Sequence, residues 1–284
     1  MWRSLCVGIA VVIAWTAAAD AAVSIAATSI SAPSYTAAQP DSSDQIATSE
    51  AARPADSSSE VPNQQEPPVP VQVKQRLLDN LTDELRNNFG LFLYVSKAER
   101  GPWAQRMYVY QKTESGDLYL LYDWPVSTGR EQLDIAPSGH ALPTNTPTGY
   151  FELDPHRSYA RYRSSQWNEP MPYAIFFDLK DKGVPTGLAI HGADDDHLQQ
   201  LGTRASAGCI RLAPENAKVL FNLIRDSFKG FVPTMGFDRV ADTTMTDGML
   251  AHDVNGNLKF SVGYRVLVFI DEYGGSQDLQ ASLF

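Results

Sequence analysis

Between residues 73 and 88 the apolar positions recur every fourth residue, as Val73, Leu77, Leu81 and Leu85, and Phe89 continues the series. That spacing puts them on one face of a helix, and Gly90 just beyond suits a C-terminal cap, so a leading helix is expected over residues 73–90. The pattern then changes to short runs rich in aromatic and β-branched residues at 91–95, 106–112, 118–126, 149–153, 173–179 and 187–191, which read as strands. Thr113-Glu114-Ser115-Gly116-Asp117 has the composition of a hairpin loop. Helical spacing returns at 214–228, which opens on Pro214-Glu215 and carries Leu220, Leu223, Ile224 and Phe228 on one face. Residues 230–262 show little regular patterning apart from a turn at Asn255-Gly256-Asn257, and read as an insertion or elaborated hairpin. Residues 264–270 form one apolar strand, and 273–284 a tail. Short strands, many Gly and Pro residues and few helices predict a mainly β (α+β) fold rather than alternating βαβ units.

The termini change that picture. Met1-Trp2-Arg3, an apolar run from Leu5 to Ala19, and Ala19-Asp20-Ala21 follow the order of a secretory signal peptide, so residues 1–21 are expected to be removed on export. The run is short for a membrane span. Residues 22–72 are dominated by Ala, Ser, Thr, Pro and Gln, bury little and read as a disordered linker. The folded part is expected at 91–272, behind the leading helix, with the insertion at about 230–262. No transmembrane segment is expected in the mature chain.

Charge and cysteine count narrow the chemistry. With 23 basic and 33 acidic residues the formal net charge is -10, which argues against nucleic acid or an anionic membrane surface as the partner. Of the two cysteines, Cys6 lies in the leader, so export leaves Cys209 as the sole thiol in a compartment that permits disulfides. Such a thiol is buried and inert, paired with another chain, or kept for chemistry.

Two stretches bear on that choice. Ala189-Ile190-His191-Gly192 ends a strand pattern on a histidine, and Ser206-Ala207-Gly208-Cys209-Ile210-Arg211-Leu212 surrounds the cysteine with small residues just ahead of the 214–228 helix. An imidazole beside a thiol makes an activated nucleophile, and small flanking residues bring backbone N–H groups close to whatever the sulfur attacks. One His and one Cys fall short of a zinc ligand set, and Asp194-Asp195-Asp196-His197 reads as an acidic loop, so no metal and no cofactor is expected.

At these residues the sequence resembles the L,D-transpeptidases, or YkuD-type domains, which cross-link bacterial peptidoglycan. The family signature is His, fourteen to seventeen residues, then Ser or Thr, His, Gly, Cys, an apolar residue, and Arg or Asn. Here fourteen residues separate His191 from Ser206-Ala207-Gly208-Cys209-Ile210-Arg211. The likeness extends to Val126-Ser127-Thr128-Gly129, to Thr146-Pro147-Thr148-Gly149-Tyr150-Phe151 and to Met171-Pro172-Tyr173-Ala174-Ile175-Phe176-Phe177, and runs with gaps from about Leu91 to Leu223. One position departs from it: Ala207 stands where the family usually has a second histidine.

The resemblance implies a β-sandwich-like core with few helices. It implies Cys209 as nucleophile, His191 as general base and proton donor, the Gly192 carbonyl as the group that orients His191, and backbone N–H groups of Ala207, Gly208 and Cys209 as the oxyanion hole. Arg211 is expected to hold a substrate carboxylate or, alternatively, a structural salt bridge. Ser206, Tyr173 and Arg204 are expected at or near the substrate. The implied partners are peptidoglycan stem peptides, a donor tetrapeptide and an acceptor amine, in the periplasm or cell envelope. Two alternatives remain open at this point: a carboxypeptidase or peptidase in which water resolves the same thioester, and a peptidoglycan-binding protein without turnover.

Overall fold

The strand Leu91–Ser96 is buried along its whole length, and its alternating side chains feed two separate cores. Leu91, Leu93 and Val95 point into an aliphatic core, Phe92 and Tyr94 into an aromatic one. A strand covered on both faces reads as an unbroken apolar run, which is how this segment appears in the sequence. These features come from a computed structural model that describes residues 68–275. The expected signal peptide at 1–21, nearly all of the expected linker at 22–72 and residues 276–284 of the expected tail lie outside the described residues.

Leu91–Ser96 is the middle strand of a five-stranded sheet ordered Leu118–Pro125, Arg106–Lys112, Leu91–Ser96, Val266–Asp271, Gly149–Phe151. Its pairing with Val266–Asp271 is parallel and the other pairings are antiparallel. Against the aliphatic face packs a second sheet, ordered Ile210–Leu212, Ala189–Gly192, Ala174–Phe177, Leu153–Tyr159, together with Ala217, Leu220, Phe221 and Ile224 of the helix Pro214–Ser227. The chain changes sheets at Glu152: Phe151 pairs with Val268 in the first and Leu153 with Phe177 in the second. The result is the expected mainly β fold, two packed sheets with few helices.

The leading helix differs from its expectation. It begins at Val69, inside the stretch that composition assigned to the linker, and stops at Asn80; a second helix runs Asp83–Asn88. The break falls where Thr82 caps the second helix, its Oγ1 accepting from Leu85 N–H at 3.2 Å ahead of Asp83 and Glu84. Val73, Leu77 and Leu85 keep one side all the same, covering the aromatic core. Phe89, not Gly90, caps the end. Residues 230–262 resolve as an elaborated hairpin, in which Lys229–Pro233 pairs antiparallel with Phe260–Tyr264 and the turn at Asn255-Gly256-Asn257 closes on Asp253.

Candidate active site

His191 sits on Ala189–Gly192, opposite Arg211 in the parallel ladder with Ile210–Leu212. That pairing brings the turn carrying Cys209, one residue ahead of Ile210, beside the strand that carries the histidine. Both side chains line one cleft of about 340 Å³. The His191 ring is buried, with Nδ1 2.8 Å from the Gly192 carbonyl oxygen. A carbonyl only accepts, so Nδ1 carries the hydrogen and Nε2 is left as an acceptor. The Cys209 thiol donates to the Gly187 carbonyl at 3.6 Å and receives the Ala189 N–H.

The cysteine turn is held from behind. Ser206 Oγ donates to the Cys209 carbonyl at 2.5 Å and accepts from Gly208 N–H at 3.1 Å. Thr146 Oγ1 donates to the Gly208 carbonyl at 2.7 Å and accepts from Gly129 N–H at 2.8 Å. Gly208 has φ +110, and a Cβ there would stand 2.9 Å from the Asn145 carbonyl oxygen, so the turn requires glycine on both counts. One layer further in, buried Lys97 donates to the Thr146 carbonyl at 2.5 Å and pairs with Glu131 at 2.8 Å. Gln105 donates to the Lys97 carbonyl and receives Thr128 N–H, both at 2.9 Å. Lys97, Gln105, Thr146 and Ser206 thus all have partners, as burial demands.

Burial decides the protonation of the pair. Desolvation pushes His191 down to about 4, further than the Gly192 carbonyl pulls it back up, and nearby Arg211 lowers it too. Desolvation pushes the Cys209 thiol up to about 11, against the Ala189 N–H and Arg211, which favour the thiolate. Near neutrality the two groups therefore rest as neutral imidazole and neutral thiol, and not as the ion pair that a low-pKa cysteine would form.

The other residues singled out from the sequence divide. Ala207 lines the cleft. Gly208 spends its N–H on Ser206, which removes it from the expected trio of oxyanion donors. Ser206 lies behind the turn, fully buried, and not in the cleft. Tyr173 has φ +56 at the entrance to Ala174–Phe177 and packs edge-on against Phe221 of the helix. Arg204 points elsewhere, donating to the Lys97 carbonyl at 2.8 Å and pairing with Glu272 at 3.1 Å. Arg211 does line the cleft, but its Nη2 donates to Glu169 Oε2 at 2.5 Å.

The sequence pattern showed no sign of the cleft walls Leu142 and Pro143 on one hairpin and Trp167 and Glu169 on the segment preceding Tyr173, and it marked Met171 only as part of a motif. It quoted Thr146 within a motif but had no signal for its bond to Gly208. Among the described residues no group of three or more His, Cys, Asp or Glu side chains is placed to hold a metal ion, and Cys209 is the free cysteine.

The two-sheet fold thus brings a histidine on one strand and a cysteine on the turn ahead of its neighbour to a single cleft. The profile described as YkuD, L,D-transpeptidase catalytic domain, matches residues 92–245, more than half of the chain, and the chain belongs to that family. Solved structures similar to it include an L,D-transpeptidase from Xylanimonas cellulosilytica, with 17% identity over 70% of this chain and 69% of that chain at a TM-score of 0.35. An L,D-transpeptidase from Mycobacterium tuberculosis shows 18% identity over 65% of this chain and 58% of that one at 0.33. The helical cell shape determining protein Pgp2 from Campylobacter jejuni shows 17% over 74% and 59% at 0.35. The chain thus spans less than two thirds of the length of the last two. A search of curated proteins gave no match.

Proposed function

We propose that this protein is an exported cysteine L,D-transpeptidase that forms peptidoglycan cross-links in the periplasm. The observation that carries the reading is the shared cleft of His191 and Cys209, with the imidazole held in one tautomer by the Gly192 carbonyl. In the first half-reaction the thiol proton passes to His191 Nε2 as Cys209 Sγ bonds to the carbonyl carbon of a donor stem peptide. The backbone N–H groups of Ala207 and Cys209 stabilise the tetrahedral oxyanion; alanine in place of the family's second histidine keeps that backbone donor. Collapse breaks the bond to the terminal D-alanine, whose amine takes the proton from His191, and leaves a thioester on Cys209. In the second half-reaction an acceptor amine attacks the thioester, His191 removes the amine's proton, and the proton returns to the departing sulfur. Export rests on the leader at residues 1–21. Among the described residues no helix is long and apolar enough to cross a membrane.

The resting neutral pair fits a mechanism in which proton transfer accompanies attack instead of preceding it. The test is incubation with a disaccharide tetrapeptide, with and without acceptor peptide, followed by mass spectrometry of the products. The expected result is a cross-linked dimer that disappears in Cys209→Ala and His191→Ala. Free tripeptide alone would assign the site to hydrolysis, and binding without either product would overturn both enzymatic readings.

A further inference from the structure

Arg211 is the positive charge of the cleft, yet it is not the charge that a ligand meets. Its side chain is only 4% exposed, with Nη2 on Glu169 Oε2 and Nη1 3.5 Å from Gln200 Oε1. A buried guanidinium needs such a counter-charge, and this one is supplied from within the chain. Glu169 is the more accessible partner, at 33%, and it lines the cleft. It sits on a hairpin closed by an Arg163–Pro170 bridge and by the Met171 N–H donating to the Tyr162 carbonyl at 2.9 Å. Oε2 is committed to Arg211, whereas Oε1 has His197 Nε2 at 3.9 Å, outside hydrogen-bond reach. A second carboxylate, Asp181, lines the same cleft from the exposed Lys180–Asp181 strand. With His191 and Cys209 neutral, the lining carries two carboxylates against one guanidinium, a surplus of one negative charge on its accessible side.

We infer that Glu169 determines specificity by receiving an ammonium group of the peptide substrate on Oε1, with Asp181 adding to the attraction and Arg211 holding Glu169 in place. The sequence-based expectation that Arg211 itself grips a substrate carboxylate gives way to this arrangement, because a second carboxylate at Arg211 would face Glu169 at close range. The inference rests on the acyl-transfer reading only in taking the cleft as the peptide site.

The experiment uses the full chain carrying Cys209→Ala, so that binding is measured without turnover. Calorimetry compares a tetrapeptide bearing a free side-chain ammonium with the same peptide acetylated at that nitrogen. The free amine is expected to bind about ten-fold tighter, the scale of one hydrogen bond between charged groups. Added salt should reduce the preference. Glu169→Gln should abolish it, Glu169→Asp should restore part of it by keeping the charge, and Asp181→Asn should reduce it less. Equal binding of the two peptides, or an undiminished preference in Glu169→Gln, overturns the inference. So does an equal loss in Glu169→Gln and Glu169→Asp, which would give Glu169 a structural part alone. An ammonium preference in a protein whose wild type makes no product would sink the acyl-transfer reading and leave this one standing; product formation with no preference does the reverse.

Discussion

The five-stranded sheet and the cysteine turn lie in the same unit but hold themselves together by different means. In the sheet, Leu91–Ser96 and its neighbours are fixed by apolar side chains that alternate between two cores, and many neighbours share each contact. In the turn, position depends on a few buried hydrogen bonds in series, from Lys97 and Gln105 through Thr146 and Ser206 to the backbone of Gly208 and Cys209. Apolar packing is non-directional and tolerates small shifts, whereas a hydrogen bond loses most of its value when its geometry fails. The sheet therefore supplies stability, and the turn supplies a defined direction for one sulfur atom.

Mutations can break that comparison. The largest effect is expected from Phe92→Ala in the aromatic core, which should cost about 3–5 kcal/mol by denaturant unfolding. Acyl transfer per folded molecule should stay close to wild type, because the aromatic core lies on the face of the sheet away from the second sheet and its cleft. Thr146→Val should show the converse. It keeps the shape, leaves the Gly208 carbonyl and Gly129 N–H without their buried partner, and should cost about 1–3 kcal/mol while lowering turnover far more than Phe92→Ala does. If the two variants lose turnover in proportion to stability, the division of labour fails.

A smaller effect sharpens the role of Glu152, which stands where the chain passes from one sheet to the other. Its carboxylate accepts from Met235 N–H at 2.8 Å. Burial raises it to about 7, the Met235 bond opposes the rise, and the charge of Asp178 adds to it. The folded state thus holds this proton to higher pH than an unfolded chain would. Stability from this group is fully present below about 4.5 and is lost as pH climbs to about 7. Glu152→Gln keeps an oxygen for Met235 and carries no charge, so it should raise the unfolding free energy by about 2 kcal/mol at pH 8 and change it little at pH 4. Equal effects at both pH values would contradict this account.

The same contrast explains what the sequence reveals. Alternation and fourfold spacing are local, so the strands 91–95 and 106–112, the helix at 214–228 and the side of Val73, Leu77 and Leu85 are legible without coordinates. His191 and Cys209 are legible because their neighbours form a compact motif. Pairing between distant polar groups has no period. Thr146 and Gly208 lie 62 residues apart, and Glu169 and Arg211 42. Nothing local in either member points to the other. Tyr173 shows a limit of the pattern: its place in an aromatic run put it in a strand, but the strand begins at Ala174, and Tyr173 itself has a left-handed backbone and packs its ring on Phe221. The split of the leading helix was written in Thr82-Asp83-Glu84, a helix-start signal overridden by the longer periodicity around it.

The central claim is that Cys209 becomes an acyl-enzyme when neutral His191 removes its proton during attack. Its most direct test is the pH dependence of single-turnover acylation by a donor tetrapeptide, followed by intact-protein mass spectrometry. The expected adduct maps to Cys209, is absent from Cys209→Ala, and forms at a rate that holds steady below neutrality until it falls with a midpoint near pH 4, where the buried imidazole gains its proton. An adduct that persists in Cys209→Ala, or a midpoint at the ordinary histidine value near 6.5, would contradict the claim.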